Sequence, residues 1–275
     1  MKNWSPTNEV TRAILETREE LSPFLYKLDL EALSLNNRSY LAYAKDPLRS
    51  FIDHEIIRYM KTADFIYRTL PRGASVIDIG LFIPVIPIAL SKLGYQVASV
   101  EKLAFYGNAL NDIITLITNR YHVCVYDLDV LTDELPIQAD IVLLLAILEH
   151  LNGTPRYLLG RAKSMVKPDG YMIVEVPNAA TLSRRLSFLL KGSPPFPPFA
   201  DYYHSEYPFS GHNREYTVRD LQFALQQSGL KIVQLEVFHH GTADGLPWKS
   251  RLLRAIEQIG PADWRPSIWS VVKIG

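Results

Sequence analysis

Two acids and a glycine in the first half of the chain have the types and spacing to hold a nucleoside-bearing cofactor. Asp78 and Gly80 end the apolar run Ser75-Val-Ile-Asp-Ile-Gly80, and Glu101 ends the next one, Gln96-Val-Ala-Ser-Val-Glu101. A glycine there permits positive φ and lets a ligand approach backbone amides at a helix N-terminus. A carboxylate roughly 20 residues on, at the tip of the second strand, accepts hydrogen bonds from two ribose hydroxyls. Further along, Glu149-His150 follow a long apolar run, where a histidine can take a proton or hold a loop to a helix. His212 lies in a segment dense in aromatic and charged residues. Together these residues describe cofactor binding beside a histidine that either takes a proton or ties a loop to a helix.

Positioning them takes strands that end together. The apolar runs 75–79, 96–100, 122–126, 141–145, 171–176, 231–238 and 267–274 read as strands, and their continuous apolar character suits a parallel sheet covered on both faces. Helices are expected over 7–26, 47–70, from the turn at Gly80 through Leu93, over 105–118, from near Ala146, and over 156–165, 179–190, 218–228 and 249–259. Thr217 suits an N-cap and Gly229 a C′ position. Residues 33–45 read as irregular. Alternation of strand and helix makes the fold class α/β, a doubly wound sheet.

The chain has 275 residues, 48% of them hydrophobic, with 29 basic and 29 acidic side chains. That supports one large domain with additions, and the balanced charge gives no footprint for nucleic acid. We expect an N-terminal helical extension over residues 1–72 and a main domain over 73–275. A proline- and aromatic-rich insertion at about 191–213 has the composition of a substrate-covering lid. The single cysteine, Cys124, sits in an apolar run and reads as a buried thiol. His239-His240 read as exposed loop histidines, and no metal-binding pattern is present. With no secretory pattern and no apolar span near 20 residues, the expectation is a soluble, cytoplasmic protein.

The ordered motifs resemble class I S-adenosylmethionine-dependent methyltransferases. That family's first motif is Asp-x-Gly-x-Gly-x-Gly; here Asp78 and Gly80 are followed by Phe82 and Pro84 where glycines are usual. The departure matters because proline fixes φ and donates no amide. Leu135-Pro136, Asp140, the apolar strand and Glu149-His150-Leu151 match the family's fourth-strand pattern, and Lys167-Pro-Asp-Gly170 its approach to the fifth. Pro177-Asn178 and His212-x-Arg214-x-Tyr216-Thr217 resemble the ubiquinone-biosynthesis-like small-molecule subgroup. The resemblance implies a Rossmann-like sheet of seven mostly parallel strands, with the last inserted antiparallel between the fifth and sixth. It implies S-adenosylmethionine as cofactor, with Glu101 on the ribose and Asp127 (alternatively Asp129) on the adenine amino group. Asp78, Gly80, Leu128 and Ala146 complete the implied cofactor contacts, and His150 and His212 are the candidate catalytic residues. Arg214 and Tyr216 stand as junction anchors or substrate contacts.

The expected activity is methyl transfer to a small-molecule acceptor, as O-methylation, with a sugar or glycolipid intermediate as acceptor and a homodimer as assembly. Two alternatives remain at this point. One is a methyltransferase-like module without catalysis, motivated by Phe82 and Pro84. The other is a nicotinamide-dependent oxidoreductase, which shares the first strand-turn-helix but lacks its three-glycine pyrophosphate turn.

Overall fold

The computed structural model describes residues 4–28, 47–135, 137–192, 199–205, 209, 211–241 and 248–274. The expected irregular segment 33–45, Pro136 and residues 193–198, 206–208 and 210 of the expected lid lie outside the described residues.

Two helices, α1 (Asn8–Leu25) and α2 (Pro47–Thr69), precede β1 (Ser75–Ile79), α3 (Val85–Lys92) and β2 (Gln96–Glu101). Next come α4 (Asn111–Tyr121), β3 (Cys124–Asp127), β4 (Ala139–Leu145), α5 (Pro155–Ser164) and β5 (Val166–Pro177). The order closes with α6 (Leu182–Lys191), α7 (Phe199–His204), α8 (Val218–Gln227), β6 (Leu230–Phe238), α9 (Trp248–Ile259) and β7 (Ser267–Ile274). The seven strands form one sheet in the order β3-β2-β1-β4-β5-β7-β6, and only β7 runs antiparallel to its neighbours. The expected fold class and the place of the last strand are therefore observed.

Alternation along each strand divides the core into two layers. Val76, Ile141, Leu143, Ile173 and Val271 pack toward α1, α2, α3 and α4, while Ile77, Val142, Leu144, Val174 and Val272 face α5 and α8. Val10, Ile14, Leu21, Ile52 and Ile66 are fully buried in the first layer, so the N-terminal helices share a core with the sheet. Each such side chain contributes roughly 1.5–3 kcal/mol relative to leaving it in water.

Several boundaries differ from expectation. The helix expected from residue 105 begins at Asn111, because residues 103–105 form a single 3-10 turn held by the Asp127 carboxylate, which accepts from the Leu103 amide at 2.9 Å. The helix expected near Ala146 is only the 3-10 turn Leu148–His150. β5 starts at Val166, since a bulge pairs Ala139 with Val166 before the regular register begins. Cys124 is exposed, not buried, because β3 is the edge strand. Thr217 does cap α8, in a reciprocal capping box with Asp220, and Gly229 follows that helix at φ 68°.

Candidate active site

In a parallel sheet of this kind ligands collect beyond the carboxyl ends of the strands, and the residues singled out above converge there. Gly80 follows β1 at φ 95°, and a Cβ on it would collide with the Ile147 side chain after β4. Conformation is what calls for glycine here, since the tip of the Ile147 side chain could move aside while the positive φ would remain. Glu101, at the tip of β2, accepts the Leu81 amide at 2.8 Å and the Lys102 amide at 2.9 Å, with the Tyr106 hydroxyl at 3.4 Å. Burial raises its pKa against those hydrogen bonds. Asp78 lies beneath the turn, 5% exposed. Burial and then the neighbouring Glu101 push it up to about 8, with Arg58 pulling the other way.

The departure from glycine at Phe82 and Pro84 has a structural role. The Phe82 ring stacks on Tyr106, 5.8 Å between centroids, and meets Phe51 of α2 edge-on at 6.1 Å. Pro84 stands at the cap position of α3, where its missing amide leaves no helix bond unmade. The turn is thus rebuilt as a joint between the N-terminal helices and the strand ends.

Asp127 ends β3 in register with Glu101, and the Leu128 amide donates to the Glu101 carbonyl at 3.0 Å, so the proposed adenine side adjoins the proposed ribose side. Asp127 is committed in part to the Leu103 amide. Asp129 instead pairs with Lys102 at 3.1 Å. Ala146, beyond β4, adopts φ 55°, a left-handed conformation that costs a non-glycine residue energy and is commonest at functional sites. Its amide donates to the Glu175 carbonyl at 3.0 Å, which holds it in place.

The second half of the site surrounds His150 and His212, whose rings meet edge-to-face at 4.7 Å. The Glu149 backbone carbonyl accepts the Asn213 amide at 2.7 Å, and Asn213 Nδ2 donates to the His150 carbonyl at 3.1 Å. These bonds bring a segment more than 60 residues distant onto the end of β4. His212 Nδ1 lies 2.9 Å from Glu215, which also pairs with Arg184. Burial, then His150, lowers the His212 pKa to about 3, so the ring is neutral in ordinary buffers. Glu149 is fully buried, and among the described residues no other residue hydrogen-bonds either of its carboxylate oxygens. Burial and then Glu175 raise its pKa well above the carboxylate range. Tyr216 is an anchor, 3% exposed, whereas Arg214 lies at the surface, 4.0 Å from Asp220.

Sequence reasoning missed the centre of this region. Arg58 of α2 is buried and donates to Glu175 at 2.8 Å, with Glu55 at 2.9 Å. One guanidinium thus faces two carboxylates directly, and its field reaches Asp78 and Glu149. The available signal was a charged residue on the apolar side of a helix. His240, expected as an exposed loop residue, is instead half-buried. Its carbonyl accepts the Ile57 amide at 2.9 Å, its Nε2 lies 2.6 Å from His54 Nε2, and burial lowers its pKa to about 3. His239 is likewise enclosed, 3.6 Å from Glu257. The causes are α2, whose His54 and Ile57 meet His240, and α9, whose Glu257 meets His239. Among the described residues two groups offer three ligand atoms within 4.8 Å of one another, Glu149-His150-His212 and His54-Glu55-His240.

A glycine turn, a carboxylate at the tip of the next strand and histidines at the adjoining strand end stand together at the carboxyl edge of a seven-stranded α/β sheet. The chain belongs to the methyltransferase-domain family, whose model matches residues 48–235. It is an S-adenosylmethionine-dependent methyltransferase, which removes the oxidoreductase alternative. No curated protein matches the chain by sequence. Its fold is similar to 1,6-didemethyltoxoflavin-N1-methyltransferase of Burkholderia thailandensis, at 13% identity and TM-score 0.54, covering 100% of this chain and 93% of that one. It is also similar to magnesium protoporphyrin IX methyltransferase of Synechocystis PCC 6803, at 13% identity and TM-score 0.52, covering 96% and 100%. The pyocyanin biosynthetic protein PhzM matches at 17% identity and TM-score 0.52, covering 98% and 74%.

Proposed function

We propose that this methyltransferase moves a methyl group from S-adenosylmethionine to a hydroxyl oxygen of a small molecule, at the carboxyl edge of the sheet. The observation that carries the reading is the meeting of two half-sites on neighbouring strands: the Gly80–Glu101 cradle ends β1 and β2, and the His150–His212 pair ends β4. The residues present fit the cofactor. Glu101 is already oriented by two amides, and the Tyr106 hydroxyl at 3.4 Å is the weak partner a ribose hydroxyl would displace. Asp127 and Leu128 would hold the adenine, while Asp78, Gly80 and Ala146 line the approach to the reacting end. The cofactor supplies an electrophilic methyl group on a sulfonium.

The chain's task is then to align the acceptor oxygen with that methyl, and much of the rate comes from orientation. His150 is exposed, so a proton it takes from the hydroxyl can pass to water. His212, neutral and aligned with Glu215, orients the acceptor beside it. We assign the acceptor to a sugar or glycolipid intermediate, supported by the exposed aromatic rings Phe199, Tyr202 and Tyr203 of α7 in the lid region 191–213. The extension, residues 1–72, is assigned to support of the main domain, 73–275, and to homodimer contact; the proposed location is the cytoplasm.

Titration calorimetry with S-adenosylhomocysteine tests the reading. The parent protein should bind, and Glu101→Ala should weaken binding by about 1.5–3 kcal/mol, as for lost charge-assisted hydrogen bonds. His150→Ala should leave that binding unchanged while lowering turnover. A parent protein that does not bind the ligand would leave a non-catalytic module.

A further inference from the structure

α9 is amphipathic with its apolar side turned to water. Trp248, Leu252, Ile256 and Ile259 recur at i, i+4, i+8 and i+11, which places them on one face. They are 70%, 55%, 39% and 88% exposed. The buried residue of this helix is an acid, Glu257, on the opposite side. Its carboxylate accepts the backbone amide of Ser183, so α9 sits against the start of α6. α6 repeats the pattern. Leu186, Leu189 and Leu190 share a face, are 42%, 78% and 82% exposed, and none of the helix is buried. Two adjoining helices therefore present apolar stripes to solvent, which an isolated globular surface avoids.

Charge identifies what covers them. At 100° per residue Lys249 and Arg251 flank the α9 stripe on either side, and Lys191 closes α6; all three are exposed. α6 contains no acid, and the acid of α9 is the buried Glu257. We propose that α6 and α9 form a docking face that seats the protein on an anionic lipid surface, with the leucines and Trp248 at the headgroup boundary and the cations on the phosphates. A second copy of the chain suits the face poorly, because two-fold pairing buries the same patch on both subunits and that patch offers its cations no acid. A lipid surface instead complements them while their stems cover apolar area. No helix among the described residues is long and apolar enough to cross a membrane, so attachment is peripheral. α6 follows β5 and α9 follows β6, so the face adjoins the carboxyl edge where the site lies. The inference does not rest on the identity of the acceptor.

The test is sedimentation of the full chain with vesicles of phosphatidylcholine, alone or mixed with phosphatidylglycerol. The protein should sediment with the mixed vesicles at low salt, and much less with neutral ones or at high salt. Leu252→Glu combined with Ile259→Glu should abolish sedimentation. Lys249→Gln combined with Arg251→Gln should weaken it roughly fivefold for each cation removed. All four side chains are exposed, so thermal melts and S-adenosylhomocysteine binding should be unchanged, separating failure of docking from misfolding or loss of the enzyme reading. Absence of sedimentation with the anionic vesicles overturns the proposal. So does light scattering that shows a dimer which Leu252→Glu dissociates, since a second copy would then be the occupant.

Discussion

At the scale of single residues, the site is governed by where protons reside. Asp78 and Glu149 are buried carboxyls whose pKa values are raised, so the folded chain holds their protons more tightly than the unfolded chain does. For Asp78 the sign follows directly. Its pKa rises from 3.8 to about 8 on folding, so its favourable contribution is complete below the unfolded value and is lost as pH climbs through the folded one. Stability should therefore fall between about pH 4 and pH 8, and Asp78→Asn, which cannot ionise, should flatten that fall. Urea melts across this range measure it. An unchanged slope in the variant would place the proton elsewhere. His212 has the opposite behaviour: burial keeps it neutral, which suits orientation of a neighbour rather than storage of a proton.

At the scale of elements, the turn between β1 and α3 shows how a motif can lose its glycines and keep its place. Phe82 fills the position with a ring held between Tyr106 and Phe51, and Pro84 sets the entry to α3. A rigid turn of this shape should bind cofactor without further glycines. The double variant Phe82→Gly, Pro84→Gly should accordingly weaken S-adenosylhomocysteine binding, because it frees the turn and removes the joint to α2. Calorimetry on both proteins decides. If instead only the double variant binds tightly, Phe82 blocks the pocket and the chain is a non-catalytic relative. Lys167 illustrates a plainer element-level role, pairing with Asp140 at 3.1 Å to tie the start of β5 to the start of β4.

At the scale of the molecule, α2 is the beam that joins the N-terminal helices to the strand ends. Arg58 reaches from it to Glu175 of β5, whose other oxygen meets Ser267 of β7, and the Ile57 amide reaches the end of β6. Removing one partner of such a buried network leaves charge without compensation. Arg58→Ala should destabilise the fold by about 3–5 kcal/mol, read by urea denaturation at neutral pH. A loss well under 1 kcal/mol would mean that the carboxyls around it simply take up protons. Because α1 and α2 also supply fully buried core residues, the active edge and the N-terminal helices should lose structure together.

By itself, the sequence determined the strands and the alternation with helices that makes an α/β sheet, because those depend on local patterns; the place of the last strand came from the family resemblance. Continuous apolar runs such as Val142–Leu144 announce buried parallel strands, and Thr217 and Gly229 mark the ends of α8 by backbone chemistry alone. It also singled out Gly80, Glu101 and His150 as candidates, since they stand at fixed offsets from strand ends, but did not single out Arg58. Only the tertiary structure decided how those residues act on one another. The pairing of His150 with His212, the burial of Arg58 among carboxyls and the enclosure of His240 beneath α2 all join residues far apart in the chain. Burial and through-space charge set protonation, and neither quantity has a local signature. The same holds for α9: its periodicity announces an amphipathic helix, but only the packed fold shows that the apolar side faces outward.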